Sequence, residues 1–257
     1  MSNSIKGKIV LITGASSGIG LACAKRFAKA GCKLILLARR KGRIESLADE
    51  LNSKFRTKTL NVVADVRKRK VIADVFLGLP AEWKDISILI NNAGLSRGLD
   101  KIQDGKYRDW DEMIDTNLKG VLNVTKSVLP LLMKQSMAHI INIGSTAGHE
   151  VYQGGNVYCA SKFALKALTK GMRIDLLGSN IKVTSIDPGL VETEFSLVRF
   201  RGNKQKASNV YKGLKALNGN DVAEAVYFAA SRNSNTVIAE IVLMPRSQAS
   251  SVHVKRY

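Results

Sequence analysis

Tyr158 and Lys162 stand four residues apart in the run Tyr-Cys-Ala-Ser-Lys. On a helix, positions i and i+4 share one face, so a phenol and an ammonium at this spacing can meet at one bound ligand. A free phenol titrates near about 10, a poor match to proton transfer at neutral pH. A neighbouring ammonium favours the phenolate and is expected to bring the group into a useful range. Ser145, thirteen residues upstream, ends an apolar run of strand length, where its hydroxyl can hydrogen-bond a reacting oxygen. Together the three suit proton exchange with an alcohol or carbonyl oxygen. Singly, each has a plainer structural reading. Tyr-x-x-x-Lys is common on exposed helix faces, and a strand-end serine usually caps a turn or helix.

A second group of residues suits a polyanion. Thr13-Gly14-Ala15-Ser16-Ser17-Gly18-Ile19-Gly20 follows an apolar run and opens a helical pattern. Glycines let the backbone turn tightly and approach a pyrophosphate, and the next helix offers unpaired N–H groups and its positive dipole end. A glycine-rich turn alone says little, but strand, helix and three-glycine spacing agree here. A site for an unphosphorylated ribose usually places a carboxylate about 20 residues further on. This chain has Ala38-Arg39-Arg40-Lys41 there and no acid before Glu45. Arg39 and Arg40 suit a 2′-phosphate through charge-assisted bonds, so NADP(H) is the expected cofactor. Asp65 and Val66 are expected to line the adenine. Asn91-Asn92-Ala93-Gly94 are expected to brace the sheet and admit the backbone close to the cofactor.

The elements that must hold these groups alternate along the chain. Strands are expected over 8–13, 33–38, 58–64, 87–90, 139–143, 182–186 and 237–243. Helices are expected over 19–30, 44–54, 68–79, 157–177 and 222–231, with a long helical stretch after the fourth strand reaching about Gln135. Continuous apolar strands between amphipathic helices predict a parallel sheet covered on both faces. The fold class is therefore α/β, a single-domain Rossmann fold. It has a doubly wound parallel sheet of about seven strands, with the ligand crevice at the strands' carboxyl ends. The 257 residues, 45% hydrophobic, show no linker, repeat or low-complexity run, so one domain spanning 1–257 is expected.

Other classes find less support. No run approaches the ~20 apolar residues of a membrane span, and the first residues lack the pattern of a signal peptide. Cys23, Cys32 and Cys159 form no Cys-x-x-Cys pair and suit free thiols in a cytoplasmic protein. The three histidines show no metal-ligand spacing, so no metal is expected and structural or solvated roles are. The chain carries 40 Lys and Arg against 21 Asp and Glu. Residues 1–90 hold 18 of the basic and 7 of the acidic side chains, so the excess sits mainly on the cofactor half. It would raise the local concentration of a polyanionic ligand. Nucleic-acid binding and a merely solvated basic surface are the alternatives.

The motifs, taken in order, resemble those of the short-chain dehydrogenase/reductases over nearly the whole chain. They are TGASSGIG (13–20), NNAG (91–94), Asn117, Ser145, YCASK (158–162) and PGLVET (188–193). Further phrases are similar to those of NADP-dependent 3-hydroxy acid dehydrogenases, which include serine and L-allo-threonine dehydrogenases and malonic semialdehyde reductases. These are LPAEW (79–83), MIDTN (113–117), HIINIGSTAG (139–148), GGNVY (154–158) and PGLVETEFSLVRF (188–200). The resemblance implies that Tyr158 is the general acid/base and that Lys162 lowers its pKa and binds the nicotinamide ribose. It implies that Ser145 polarises the substrate oxygen and that Asn117 holds a water linking Lys162 to solvent. Pro188, Gly189, Val191 and Thr193 would cover the nicotinamide. It also implies transfer of the pro-S hydride and a homotetramer built on the long helices.

The expected function is hydride transfer between NADP(H) and a small 3-hydroxy acid or its carbonyl form. A 3-oxoacyl-thioester reductase or broad carbonyl reductase is the alternative within enzymes. An NADP-sensing or nucleic-acid-binding protein is the alternative outside them, and it has no need of Tyr158 beside Lys162. The segment Glu192–Lys215 is expected to form a lid. Within it Arg199 is the candidate partner of a substrate carboxylate, against the plain reading of a solvated basic lid. The basic tail Val254–Tyr257 belongs to none of these motifs.

Overall fold

β-branched and leucine-rich runs form the strands, and their alternate residues feed two separate cores. In β1 (Ile9–Thr13), Val10 and Ile12 join one core while Ile9 and Leu11 join the other. Successive side chains of a strand point to opposite faces, so a strand apolar throughout must be covered on both. The computed structural model describes residues 5–257. The absence of a leader was read partly on residues 1–4, which lie outside the described residues.

The sheet also contains β2 (Lys33–Ala38), β3 (Thr59–Val63), β4 (Ile86–Asn91), β5 (Ala138–Ile143), β6 (Ile181–Pro188) and β7 (Glu240–Leu243). All seven strands are parallel, in the order β3-β2-β1-β4-β5-β6-β7. The order reverses between β1 and β4, and at such a switch point the strand ends open a crevice.

One face is covered by α1 (Gly18–Lys29), α2 (Lys41–Phe55) and α9 (Gly219–Ala230). The other is covered by α3 (Arg69–Leu77), α5 (Gly120–Leu132) and α6 (Asn156–Asp175), with α4 (Tyr107–Ile114) packed against α6. Two short helices, α7 (Phe195–Arg199) and α8 (Lys204–Asn209), follow β6.

The expected elements are present, with one substantial correction. The stretch after β4 does not go straight into a helix: 92–106 is mostly irregular, and α4 begins at Tyr107. The segment crosses the carboxyl end of the sheet, where it turns at Gly98 with φ of 58°. Asn117 holds it from below, accepting from the Leu95 N–H and donating to the Leu95 carbonyl, both at 2.8 Å. Apolar content alone could not show that this backbone is bonded to a side chain rather than to itself. Between α4 and α5 the helix widens into one π-helical turn, Asp115–Lys119, and that turn carries Asn117. Such bulges often mark functional sites. The last strand is shorter than the expected 237–243. No helix among the described residues is long and apolar enough to cross a membrane.

Candidate active site

The strand ends open onto one cavity of about 660 Å³ that runs from the glycine turn to the segment after β6. At its cofactor end, Gly14 and Gly18 have φ of 67° and 55°, values that side-chain-bearing residues rarely adopt. A Cβ on Gly14 would lie 2.9 Å from the Asn92 amide nitrogen. That amide donates to the carbonyls of Thr13 (2.9 Å) and Gly14 (3.3 Å) and clamps the turn. Ser17 precedes α1 without capping it through its side chain, so the first-turn N–H groups remain available to an anion. Ser16, Ser17, Gly18 and Ile19 line the cavity.

Two residues of these motifs lie away from the cavity. Gly20 does not line the cavity: a Cβ there would collide with the Gly14 carbonyl, so this glycine lets α1 pack against the turn. Asn91 is buried in β4 and donates to Asn142 Oδ1 (2.9 Å) and Thr125 Oγ1 (3.0 Å). It braces the sheet, and the next residues, Asn92, Ala93 and Gly94, line the cavity instead.

Arg39 and Arg40 both line the cavity, with Asp65 and Val66 opposite. Arg39 has no hydrogen-bond partner among the described residues. Arg40 is held: its guanidinium donates to Ser16 Oγ (3.0 Å), Ser17 Oγ (2.7 Å) and Glu194 Oε2 (2.9 Å). Burial raises the Asp65 pKa, but the Arg67 side chain and N–H outweigh that and hold the carboxylate below its usual range. A free guanidinium, a glycine cradle and open helix N–H groups fit a phosphorylated dinucleotide.

The catalytic candidates meet at the middle of the cavity. Tyr158 and Lys162 lie on one face of α6, both buried. Ser145 follows β5 and caps the next turn, its hydroxyl accepting from the Ala147 N–H at 3.1 Å, and it lies near enough to Tyr158 to favour the phenolate. Lys162 Nζ donates to the Ile143 carbonyl at 2.9 Å. Burial pushes Lys162 down to about 8, against the pull of Asp187. Asn117 is buried outside the cavity wall, and its amide donates to Ser161 Oγ at 3.0 Å. It acts on the site through Leu95 and Ser161.

The expected lowering of the Tyr158 pKa is not found in this structure. Burial dominates and holds the phenol above its ordinary value, with Tyr152 adding to the rise. The opposing cation is Arg199, not Lys162. Lys162 Nζ stays 5.9 Å from the phenol ring centre, directed at Ile143.

Of the basic residues between Arg199 and Lys215, only Arg199 lines the cavity. Its guanidinium lies 5.4 Å from the Tyr158 ring centre and 5.2 Å from that of Phe195. One Nη donates to the Tyr152 hydroxyl at 3.2 Å, while its Nε is buried without a partner. The Gly98 N–H donates to the Arg199 carbonyl at 3.0 Å. Arg97 donates to the Val198 carbonyl and pairs with Glu112 at 2.7 Å. Arg201 pairs with Asp109. The segment after β6 is thereby tied to the loop after β4. The chain's last residues close its other side: Arg256 donates to the Lys212 carbonyl at 2.7 Å and the Tyr257 N–H to the Gly213 carbonyl at 2.9 Å. Pro188, Gly189, Val191 and Thr193 line the cavity between these parts, as do Val254 and Arg256 of the tail.

Sequence reasoning missed Arg43, Glu194 and Tyr152. Arg43 follows Arg39 by one helical turn, a signal that was available; Tyr152 and Glu194 carried none. The histidines divide. His139 is buried, pushed down to about 3, and bonded to Thr184 at 2.7 Å. His149 meets Asp187 (2.7 Å) and Glu240 (3.3 Å) across the sheet end. The Lys166 ammonium, 2.8 Å from its Nδ1 and 3.1 Å from Glu240, already supplies a cation there.

Comparison with known proteins agrees with this geometry. Residues 8–204 match the short chain dehydrogenase family. The chain is 47% identical over 253 residues to the NADP-dependent 3-hydroxy acid dehydrogenase of Schizosaccharomyces pombe, covering 98% of each chain. It is 42% identical over 240 residues to the serine 3-dehydrogenase of Agrobacterium fabrum, covering 93% of this chain and 94% of the relative. Among solved structures, the closed form of a serine dehydrogenase complexed with NADP+ superposes with a TM-score of 0.90 at 42% identity. That match covers 97% of this chain and all of the other.

Proposed function

Since the chain belongs to the short chain dehydrogenase family, we propose that it is an NADP-dependent oxidoreductase acting on a small 3-hydroxy acid or its carbonyl form. The relatives at 47% and 42% identity bear the names of that activity. The observation that carries the substrate class is Arg199: a guanidinium beside the Tyr158 ring, inside the cavity, with a buried nitrogen lacking a partner.

The glycine turn, the α1 N-terminus, Arg39 and Arg40 hold the cofactor, with Asp65, Val66, Ala93 and Gly94 along the adenosine and Pro188, Gly189, Val191 and Thr193 along the nicotinamide. When bound, the nicotinamide supplies or takes up the hydride. The chain's own residues handle the proton. In reduction, the substrate oxygen sits between Ser145 and Tyr158, and the phenol gives up its proton as the oxygen becomes an alkoxide. Burial keeps that phenol neutral, the form a proton donor needs. In oxidation the phenol must lose its proton first, and Arg199 is the cation that favours the phenolate. Arg199 also receives the carboxylate and so fixes which end of the substrate faces Tyr158.

A panel of 3-hydroxy acids, semialdehydes, uncharged ketones and acyl thioesters, followed by nicotinamide absorbance with NADP(H) and NAD(H), tests the reading. Activity on the short acids with NADP(H) is expected. Arg199→Ala should raise KM for serine about ten- to hundredfold, the worth of a charge-assisted bond, and leave the KM of an uncharged ketone nearly unchanged. Good turnover of a thioester or bulky ketone, with none of the acids, would overturn it. We further propose a single domain over 1–257, a cytoplasmic location and a homotetramer. Exposed Leu122 on α5 with Phe163 and Ile174 on α6 support association through those helices, which light scattering of the purified protein measures.

A further inference from the structure

The Glu194 carboxylate sits on Arg40, which lines the cofactor end of the cavity, and on Arg43 beside it on α2. It accepts from Arg40 Nη1 at 2.9 Å and, with both oxygens, from Arg43 Nη1 at 2.7 Å. Its placement is built by the backbone. Thr193 rests on the glycine turn, 3.3 Å from where a Gly18 Cβ would be, and caps the Phe195 N–H at 3.2 Å. Glu194 therefore cannot leave the neighbourhood of Arg40 and Arg43 without moving the start of α7. Arg43 holds the pKa of Glu194 down, and Arg40 assists, so the carboxylate stays charged at neutral pH.

We infer that Glu194 sets how strongly the site prefers a 2′-phosphate, by occupying Arg40 and Arg43 until the phosphate takes its place. The inference rests on the cofactor reading above. A phosphate carries nearly two negative charges and three acceptor oxygens where Glu194 offers one charge and two oxygens, so the exchange is favourable. Both Glu194 pairs are about half exposed, and exposed pairs are weak, so each is cheaply broken. After the exchange the carboxylate remains close by, and its repulsion keeps the preference for the phosphorylated cofactor below what the three arginines alone would give. A 2′-hydroxyl suffers no such repulsion and can donate to the same carboxylate. Glu194 thus works in opposite directions on the two nicotinamide cofactors.

Calorimetric titration of the purified protein with adenosine 2′,5′-bisphosphate and with adenosine 5′-phosphate, at low salt, tests this without turnover. Glu194→Gln should tighten the bisphosphate roughly two- to thirtyfold, the worth of two exposed ion pairs, and leave the monophosphate unchanged or weaker. Glu45→Gln removes a carboxylate from the same basic surface without touching Arg40 or Arg43 and should change the bisphosphate less. Unchanged or weaker bisphosphate binding in Glu194→Gln, or an equal gain in Glu45→Gln, would overturn the inference. The triple variant Arg39→Ala/Arg40→Ala/Arg43→Ala separates the two levels. If it keeps the preference for the bisphosphate, the cofactor reading itself fails. If it loses the preference while Glu194→Gln does nothing, only the role of Glu194 fails.

Discussion

Lys162 should cost the folded protein stability, and Lys162→Met should recover part of it. The ammonium is buried on α6 and makes one hydrogen bond, to the Ile143 carbonyl. Its pKa falls from 10.5 to about 8 on burial. A pKa unit is worth about 1.4 kcal/mol, so keeping Lys162 charged at pH 7 opposes folding by about 3 kcal/mol. Methionine has a similar length and no charge to desolvate, but it leaves the Ile143 carbonyl without its donor, at a cost of about 1–3 kcal/mol. The net expectation is a variant more stable by up to about 2 kcal/mol, or up to roughly 8 °C in Tm for a chain of this size. The sign is checked by pH. Between about 8 and 10.5 the unfolded lysine binds a proton and the folded one does not, so parent stability gains from this group as pH rises through that window. It is lost again as pH falls through 8. The variant lacks that gain, so its advantage should shrink from pH 7 towards pH 10. Lys182, also lowered by burial, contributes equally to both proteins and cancels. Urea unfolding at pH 7, 8.5 and 10, without nucleotide, measures it. A variant less stable than the parent at pH 7, with the same pH slope, would refute the reasoning.

Tyr158→Phe removes the proton donor and keeps the ring between Arg199 and Phe195. Turnover should fall at least about 10²–10⁴-fold while fluorescence titration still detects NADPH binding; near-normal turnover would dismiss Tyr158. Gly144→Ala would drive a methyl into the Asp187 carboxylate, which also bonds Ser185 and His149. A loss of about 1–3 kcal/mol is expected from overpacking, read as a lower urea midpoint, and an unchanged midpoint would show that Asp187 yields freely. Cys23 and Cys32 are both pushed up to about 12 by burial, and all three thiols are buried. Alkylation at pH 8, followed by mass spectrometry, should therefore wait for unfolding; prompt labelling of the native protein would contradict their burial.

Much of the fold was legible because its signals are local. Continuous apolar strands, the glycine turn and the Tyr158–Lys162 spacing each reflect a period or a backbone requirement within a few residues. So β2 lies at its expected bounds and α1 within one residue of them. Local signals also fix which side chains exist at the strand ends, and with them the class of chemistry. What they leave open is every bond that crosses the chain. Asn91 and Asn92 are neighbours of one type, yet the pleat sends Asn91 to Asn142 and Thr125 and leaves Asn92 at the glycine turn. The segment after β4 runs irregularly over the sheet end because Asn117, over 20 residues away, takes both polar groups of Leu95. The balance of charges at Tyr158 is likewise tertiary. A spacing of four sets Lys162 on the same face, but burial and the Ile143 carbonyl decide its direction and leave Arg199 as the cation acting on the phenol. Glu194 on Arg40 and Arg43 spans more than 150 residues. Electrostatic pairing depends on distance in space, which a sequence encodes only through the whole fold.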